Sequence, residues 1–214
     1  MRRIVLASAS PRRRDILDHL GIPFEVRASI FDEHSLPPSD PETMVLRSAL
    51  GKALDVARTE HEAVVLGFDT AVVVDGDALG KPQDTEEAIA MLLRLGGREH
   101  EVLTAICAVD ARAADMERLR PMLGSAEPRP CLEAGLALEC ERTCVRFGPL
   151  DRERAAAYVG KGESLDKAGA YGIQGYGCLL VESIQGCYLN VVGLPVFQLA
   201  RLLSLYGIDL LAHG

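Results

Sequence analysis

Three apolar residues followed within five positions by a serine and a proline confine the start of this chain to one kind of structure. Ile4, Val5 and Leu6 form a run suited to a buried strand. Ser10 is a good helix N-cap, and Pro11 occupies the first helical position, where its missing N–H costs nothing. The expectation is a strand end feeding a helix at once, over Leu6 to Leu17. The first turn of that helix is electrostatically odd. Arg12, Arg13 and Arg14 place cations against the macrodipole, where stability alone would favour Asp or Glu. A bound anion resolves the conflict, because free backbone N–H groups, the Ser8 and Ser10 hydroxyls and the guanidinium forks would aim donors at one spot. The alternative is a surface helix with solvated arginines.

Further along, strands and capped helices alternate, which points to an α/β fold. Gly21 is placed to cap the first helix, and Phe24 to Ile30 reads as a second strand running into Asp32 and Glu33. Asp40-Pro41-Glu42 opens a helix to about Arg58. Its apolar face is Val45, Leu46, Ala49, Ala53 and Val56, and Lys52 taken alone reads as a solvated lysine. Ala63 to Phe68 and Ala71 to Val74 read as strand, ended by an Asp75-Gly76 hairpin turn. Asp84 or Thr85 caps a helix that stops at Gly96-Gly97. Glu99 to Val109 and Leu136 to Phe147 read as long strands joined by Asp110 to Gly135. That connection has Met116, Leu119 and Met122 at helical spacing, so it is a short extra helix or a partly mobile segment, with no recognisable chemistry. Asp151 caps a helix to about Val159, and Gly160 to Gly177 is a glycine-rich loop holding Glu163, Asp166, Lys167 and Gln174. Gly177 to Ile184 reads as a strand, and Leu194 to Tyr206 as a closing helix.

Asp69 interrupts the most apolar of these segments. A carboxylate among Val64, Val65, Leu66, Val72, Val73 and Val74 is costly to bury unless a metal ion, a cationic ligand or turn amides satisfy it. In Gly80-Lys81-Pro82 the proline fixes the exit from the hairpin and aims Lys81 back toward the same place. A net charge of −8 argues against a general binder of nucleic acid or anionic membranes, so a polyphosphate would have to be met by a local basic cluster. The six cysteines, Cys107, Cys131, Cys140, Cys144, Cys178 and Cys187, include no Cys-x-x-Cys pair, and no signal peptide follows Met1. They read as reduced thiols of a cytoplasmic protein; Cys140 and Cys144, without nearby histidines, make a weak zinc claim. Gln185, Gly186, Asn190, Gly193 and Pro195 break the uncharged stretch Ser183 to Ala200, so no membrane span is expected.

Three separated motifs, in order, resemble the Maf family of nucleotide pyrophosphatases, once described as septum-formation inhibitors. They are Leu-Ala-Ser-Ala-Ser-Pro-Arg-Arg over 6–13, Gly67 to Pro82, and Asp166 to Gly175 followed by Asn190 to Pro195. The match spans Ile4 to about Gly207 and fails only over Asp110 to Gly135. The resemblance implies a mixed, elongated, twisted sheet flanked by helices, related to the inosine-triphosphate pyrophosphatase type. It implies one domain over 1–214, with two lobes around a central cleft, a variable insertion at about 110–135, and a homodimer. By resemblance Glu33 lies in the active site and Lys52 is directed at substrate phosphates.

The reaction so implied is hydrolysis of dTTP or UTP, and of modified pyrimidine nucleotides, to the monophosphate and pyrophosphate. Arg12, Arg13, Lys52 and Lys81 would neutralise phosphate charge, with Ser8, Ser10 and Lys167 completing the phosphate-binding set, and Asp69 would position and deprotonate the attacking water. A carboxylate of ordinary pKa, about 4, is too weak for this alone, so a divalent cation, Mg²⁺ or Mn²⁺, is expected on Glu33 and Asp69. No Walker loop is present, which sets aside a motor-type ATPase. Arg12, Thr70 and Gln174 resemble the residues of members acting on dTTP and UTP, while members acting on 7-methyl-GTP carry tryptophan, glutamine and glutamate. Phe68 departs from the small residue usual before the aspartate. The alternatives are a 7-methyl-GTP pyrophosphatase and a non-catalytic nucleotide-binding regulator of cell division.

Overall fold

The computed structural model describes residues 2–212, so residue 1 and residues 213–214 of the expected domain lie outside it. Seven strands form one mixed sheet: β1 (Arg3–Leu6), β2 (Glu25–Val26), β3 (Ala63–Val74), β4 (Asp77–Leu79), β5 (Glu99–Asp110), β6 (Leu136–Phe147) and β7 (Val181–Gln185). Their order is β2-β1-β3-β5-β6-β7, with β4 on β3. β1 pairs in parallel with β2 and β3, while β3 with β4 and β6 with β7 are antiparallel. The helices are α1 (Pro11–His19), α2 (Pro41–Ala57), α3 (Thr85–Leu95), α4 (Met116–Leu119), α5 (Arg152–Val159), α6 (Tyr188–Val192) and α7 (Val196–Ser204). This is the mixed α/β class expected. The chain divides into two compact units, with boundaries inside β3, β5 and β6 and a fourth between α6 and α7.

The first unit comprises the residues up to Asp69, Thr104–Glu141, and those from Gly193 on. Its core holds Leu6, Leu17, Leu66, Phe68, Ile106 and Leu203. Ser10 has the extended backbone of an N-cap, but its side chain makes no capping bond, so that part of the expectation is corrected: its own N–H turns to the Ser8 hydroxyl at 3.3 Å. Gly21 follows α1 at φ +65°, where its N–H reaches the Asp18 carbonyl at 3.0 Å. The second strand is only two residues long, not Phe24 to Ile30. β1 ends at Leu6, whose carbonyl takes the Arg27 N–H at 3.0 Å, and beyond that Ile30 N turns to the Asp55 carboxylate at 2.9 Å. β3 is unbroken through Asp69, where two strands had been expected. Its middle needs no turn because the Asp69 side chain finds its partner on α2. The Asp110 to Gly135 connection contains the extra helix α4, capped by Asp115, and buries Leu119 and Ala134. α7 starts at Val196 and not Leu194, because a residue before proline is pushed out of helical geometry, here by Pro195. It ends at Ser204, and Tyr206 beyond it sets its hydroxyl 3.0 Å from the Ala108 carbonyl.

The second unit comprises Thr70–Leu103 and Arg142–Val192, around Leu92, Val102, Phe147, Tyr158 and Tyr171. Asp75 and Gly76 both have positive φ, 56° and 83°, as a tight two-residue hairpin requires. Asp84, one of the two candidates read from the sequence, caps α3, and Asp151 caps α5 as expected. The expected strand from Gly177 starts only at Val181. Residues Gly175–Leu179 form a 3-10 turn instead, since Gly177 packs so tightly under the Gly172 carbonyl that a Cβ would lie 1.8 Å from its oxygen. His100, Tyr171 and Phe147 form a buried edge-to-face trio, with His100 Nε2 2.7 Å from the Tyr171 hydroxyl. α6 was not anticipated.

Candidate functional site

In the first unit, α1 delivers Arg13 into the protein rather than to its surface. Arg13 is 9% exposed. Its Nε donates to the Gly193 carbonyl at 2.9 Å, and one terminal nitrogen donates to Ser8 Oγ at 3.0 Å and to the Phe68 carbonyl at 3.3 Å. The guanidinium carbon stands 5.4 Å from the centre of the Phe68 ring. Phe68, the unusual residue before the aspartate, therefore packs under an arginine. Burial draws the Arg13 pKa down to about 10, against the pull of Asp69, and the group remains a cation at neutral pH.

β3 and α2 supply the other half of the cluster. A Cβ on Gly67 would lie 2.2 Å from the Ala49 carbonyl oxygen, so only glycine lets the strand come this close to the helix. The approach puts Lys52 Nζ 2.7 Å from Asp69 Oδ1 and 3.0 Å from Glu33 Oε1. Lys52 is thus the bridge between two carboxylates and not a solvated helix lysine. Burial raises the Asp69 pKa above the ordinary range; Lys52 opposes the rise and the nearby Glu33 charge adds to it. Glu33 opens a short 3-10 turn, Glu33–Ser35, capped by Asp32, and its side chain is 49% exposed.

The structure thus brings Ser8, Arg13, Glu33, Lys52 and Asp69 together within one unit. Arg12 and Ser10 are half-buried at the start of α1. Thr70, Lys81, Lys167 and Gln174 belong to the second unit. There Lys81 is exposed after β4, and the neighbouring Gly80 carbonyl takes the Gly169 N–H at 3.0 Å, tying that turn to the glycine-rich loop. Lys167 Nζ donates to the Glu163 carbonyl and to Asp166 Oδ1, both at 2.6 Å, so its ammonium is engaged within its own loop. Gln174 is exposed, and the backbone on either side of it is anchored. Gly172 N donates to the Tyr158 hydroxyl at 3.1 Å, and Tyr176 N to the Glu163 carboxylate at 3.1 Å. Sequence reasoning missed Tyr158, Tyr171 and His100 as supports of this loop, and missed Arg47 on α2. No local pattern marks them, because each acts on a residue far away in the chain or unremarkable in type.

Among the described residues no group of three or more His, Cys, Asp or Glu side chains is arranged to hold a metal ion. The pair Glu33 and Asp69 fits a hard divalent cation in the Mg²⁺ manner, in which one or two carboxylates share the ion with substrate phosphates. The place between them already accommodates one positive charge, that of Lys52. A separate surface hollow of about 820 Å³ is lined by Arg2, Arg3, Glu60, His61 and Arg112, among others, and contains none of these site residues. Its Arg2 pairs with Asp110 and its Arg3 with Glu60. No helix among the described residues is long and apolar enough to cross a membrane.

The family model described as Maf-like protein matches residues 3–206. The chain is 44% identical to the dTTP/UTP pyrophosphatase of Symbiobacterium thermophilum over 214 residues, covering 100% of this chain and 99% of that protein. It is 40% identical to the dTTP/UTP pyrophosphatase of Methanosarcina mazei, over 98% of this chain and 96% of that one. Among solved structures, the Ham1 protein of Staphylococcus aureus aligns with a TM-score of 0.43 at 15% identity, over 82% of this chain and 77% of that one. With a family model matched across nearly its whole length and relatives aligned end to end, the chain belongs to the Maf family.

Proposed function

We propose that this chain hydrolyses nucleoside triphosphates, dTTP and UTP foremost, between the α- and β-phosphates. The observation that carries the reading is the acid–ammonium–acid cluster Glu33–Lys52–Asp69, built beside the buried cation Arg13. A water oxygen attacks the α-phosphorus, the bond to the bridging oxygen breaks, pyrophosphate leaves, and the water proton passes to Asp69. The raised proton affinity of Asp69 suits a base, and Lys52 opposes that rise and favours the ionised form. Arg12, Arg13 and Lys52 offer positive charge to a triphosphate that the overall charge of −8 would repel. A Mg²⁺ or Mn²⁺ ion on Glu33 and Asp69 would supply charge neutralisation and water acidification. That the relatives are dTTP/UTP pyrophosphatases supports the choice of dTTP and UTP. Ser8, Ser10, Lys81, Lys167, Thr70 and Gln174 carry substrate roles in this reading on the motif match alone. Nucleoside triphosphate as the partner in place of nucleic acid, a homodimeric assembly and a cytoplasmic setting belong to the same reading.

The test is a panel of nucleoside triphosphates, 7-methyl-GTP included, with Mg²⁺ or Mn²⁺, following pyrophosphate and monophosphate together. The expected result is turnover of dTTP and UTP that falls by about 100-fold or more in Asp69→Asn. Pyrophosphate release unchanged in that variant would overturn the assignment of Asp69. Turnover confined to 7-methyl-GTP, or tight dTTP binding without turnover at any metal concentration, would overturn the substrate or the catalysis itself.

A further inference from the structure

We propose that Arg47, together with the tip of the 110–135 insertion, is a positioning device for the loop that carries Glu33. This deepens the functional reading above and rests on it. Arg47 sits in the middle of α2 and is 4% exposed. Its guanidinium divides its donors between two segments: Nε and one terminal nitrogen donate to the Ser125 carbonyl at 2.8 and 2.5 Å, and the other terminal nitrogen donates to the Pro37 carbonyl at 3.0 Å. One turn earlier on the same helix, Thr43 Oγ1 donates to the Ala126 carbonyl at 3.1 Å. The insertion is therefore bound to α2 by side chains of α2, and the Arg47 that binds it also holds the far end of the Glu33 loop.

That loop is fastened to α2 along its length. Asp55 Oδ2 accepts from Ser29 Oγ at 2.8 Å and from Ile30 N at 2.9 Å. The Phe31 ring lies against Gly51, where a Cβ would come within 2.3 Å of it. Glu33 then meets Lys52 at 3.0 Å, and Pro37 meets Arg47. Positions 47, 51 and 55 recur every four residues and so share one face of the helix. The Glu33 side chain is half-exposed and cannot be fixed by its own packing. Its position depends on where the backbone is pinned on either side, and Arg47 is the pin after it. A buried guanidinium spent on two loop carbonyls is what such a pin needs, since its rigid fork fixes direction as well as distance.

The experiment compares wild type, Arg47→Met, Arg47→Lys and Thr43→Val in the full chain. Amide exchange by mass spectrometry is read over 29–38, with α3 as an internal reference. The expected result is exchange over 29–38 about tenfold faster in Arg47→Met with α3 unchanged, and a smaller change of the same sign in Thr43→Val. With dTTP, kcat should fall roughly tenfold or more in Arg47→Met, with a smaller effect on KM and partial recovery in Arg47→Lys. Combined with Glu33→Gln, Arg47→Met should add nothing further, because it acts through Glu33. Losses that multiply in the double variant, or unchanged exchange over 29–38, would overturn the proposal. Should Arg47→Met fail to fold, the Thr43→Val result decides by the same two readouts. Wild-type protein without dTTP or UTP turnover would overturn the functional reading and the catalytic half of this proposal together, whereas turnover with unchanged exchange overturns this proposal alone.

Discussion

Asp69 is held where its charge is poorly solvated, and that is the source both of its proposed reactivity and of a cost to the fold. Burial pushes its pKa up, with Glu33 adding to the effect, and Lys52 returns only part of the difference. A carboxyl whose folded pKa lies above its unfolded value of about 4 favours the folded state fully only below that pH. Its contribution is lost as pH rises through the folded pKa, so above the ordinary carboxylate range the Asp69 charge costs the fold stability. Asp69→Asn keeps the shape, removes the charge and leaves Lys52 paired with Glu33. It should melt at a higher temperature than wild type at pH 7, with the gap closing near pH 4, while turnover is lost. Calorimetry across that pH range checks it, and a lower melting temperature for the variant at pH 7 would contradict the account.

At the level of elements, the cluster depends on how closely β3 approaches α2. Gly67 is two residues before Asp69, and its missing side chain leaves room for the Ala49 carbonyl and for Ala53. Gly67→Ala must push strand from helix. The expected cost is about 1–3 kcal/mol or somewhat more, as for overpacking elsewhere, and kcat should fall because the contact between Lys52 and Asp69 opens. Urea unfolding together with dTTP turnover measures both; full activity at wild-type stability would mean the close approach is not needed. These packing relations mark the limit of what the sequence discloses. Asp40, Asp84 and Asp151 cap helices by bonds to residues three positions on, and Asp75-Gly76 turns a hairpin by its own dihedral angles, so all four were legible. β2 was overextended and β3 was cut at Asp69 for the opposite reason. What decides each is a partner on α2, Asp55 in one case and Lys52 in the other, far away in sequence. Arg47 was invisible on the same ground: an arginine in a helix reads as solvated, and only the folded chain reveals the carbonyls of Pro37 and Ser125 around it.

For the whole molecule, the motifs carried the family, and the resemblance named Arg13, Glu33, Lys52 and Asp69 as one group and implied two lobes, but it did not locate where the chain passes between the two units with their separate cores. No composition shift marks that division: the chain crosses it three times inside a strand, between Asp69 and Thr70 in β3, Leu103 and Thr104 in β5, and Glu141 and Arg142 in β6, and once between α6 and α7, at Val192 and Gly193. Chains longer than about 150 residues often unfold through populated intermediates, and two separate cores would favour one. Continuous strands argue the other way, since a unit that unfolds must fray a strand whose remaining residues belong to its neighbour. The second effect should win, giving one cooperative transition. The chain offers a direct check: it has no tryptophan, and four of its five tyrosines, Tyr158, Tyr171, Tyr176 and Tyr188, lie in the second unit with only Tyr206 in the first. Near-ultraviolet circular dichroism therefore reports chiefly on the second unit, and far-ultraviolet circular dichroism on both. Their urea transitions should coincide in midpoint and slope. A tyrosine signal lost well before or after the backbone signal would show that the units unfold separately despite the shared strands.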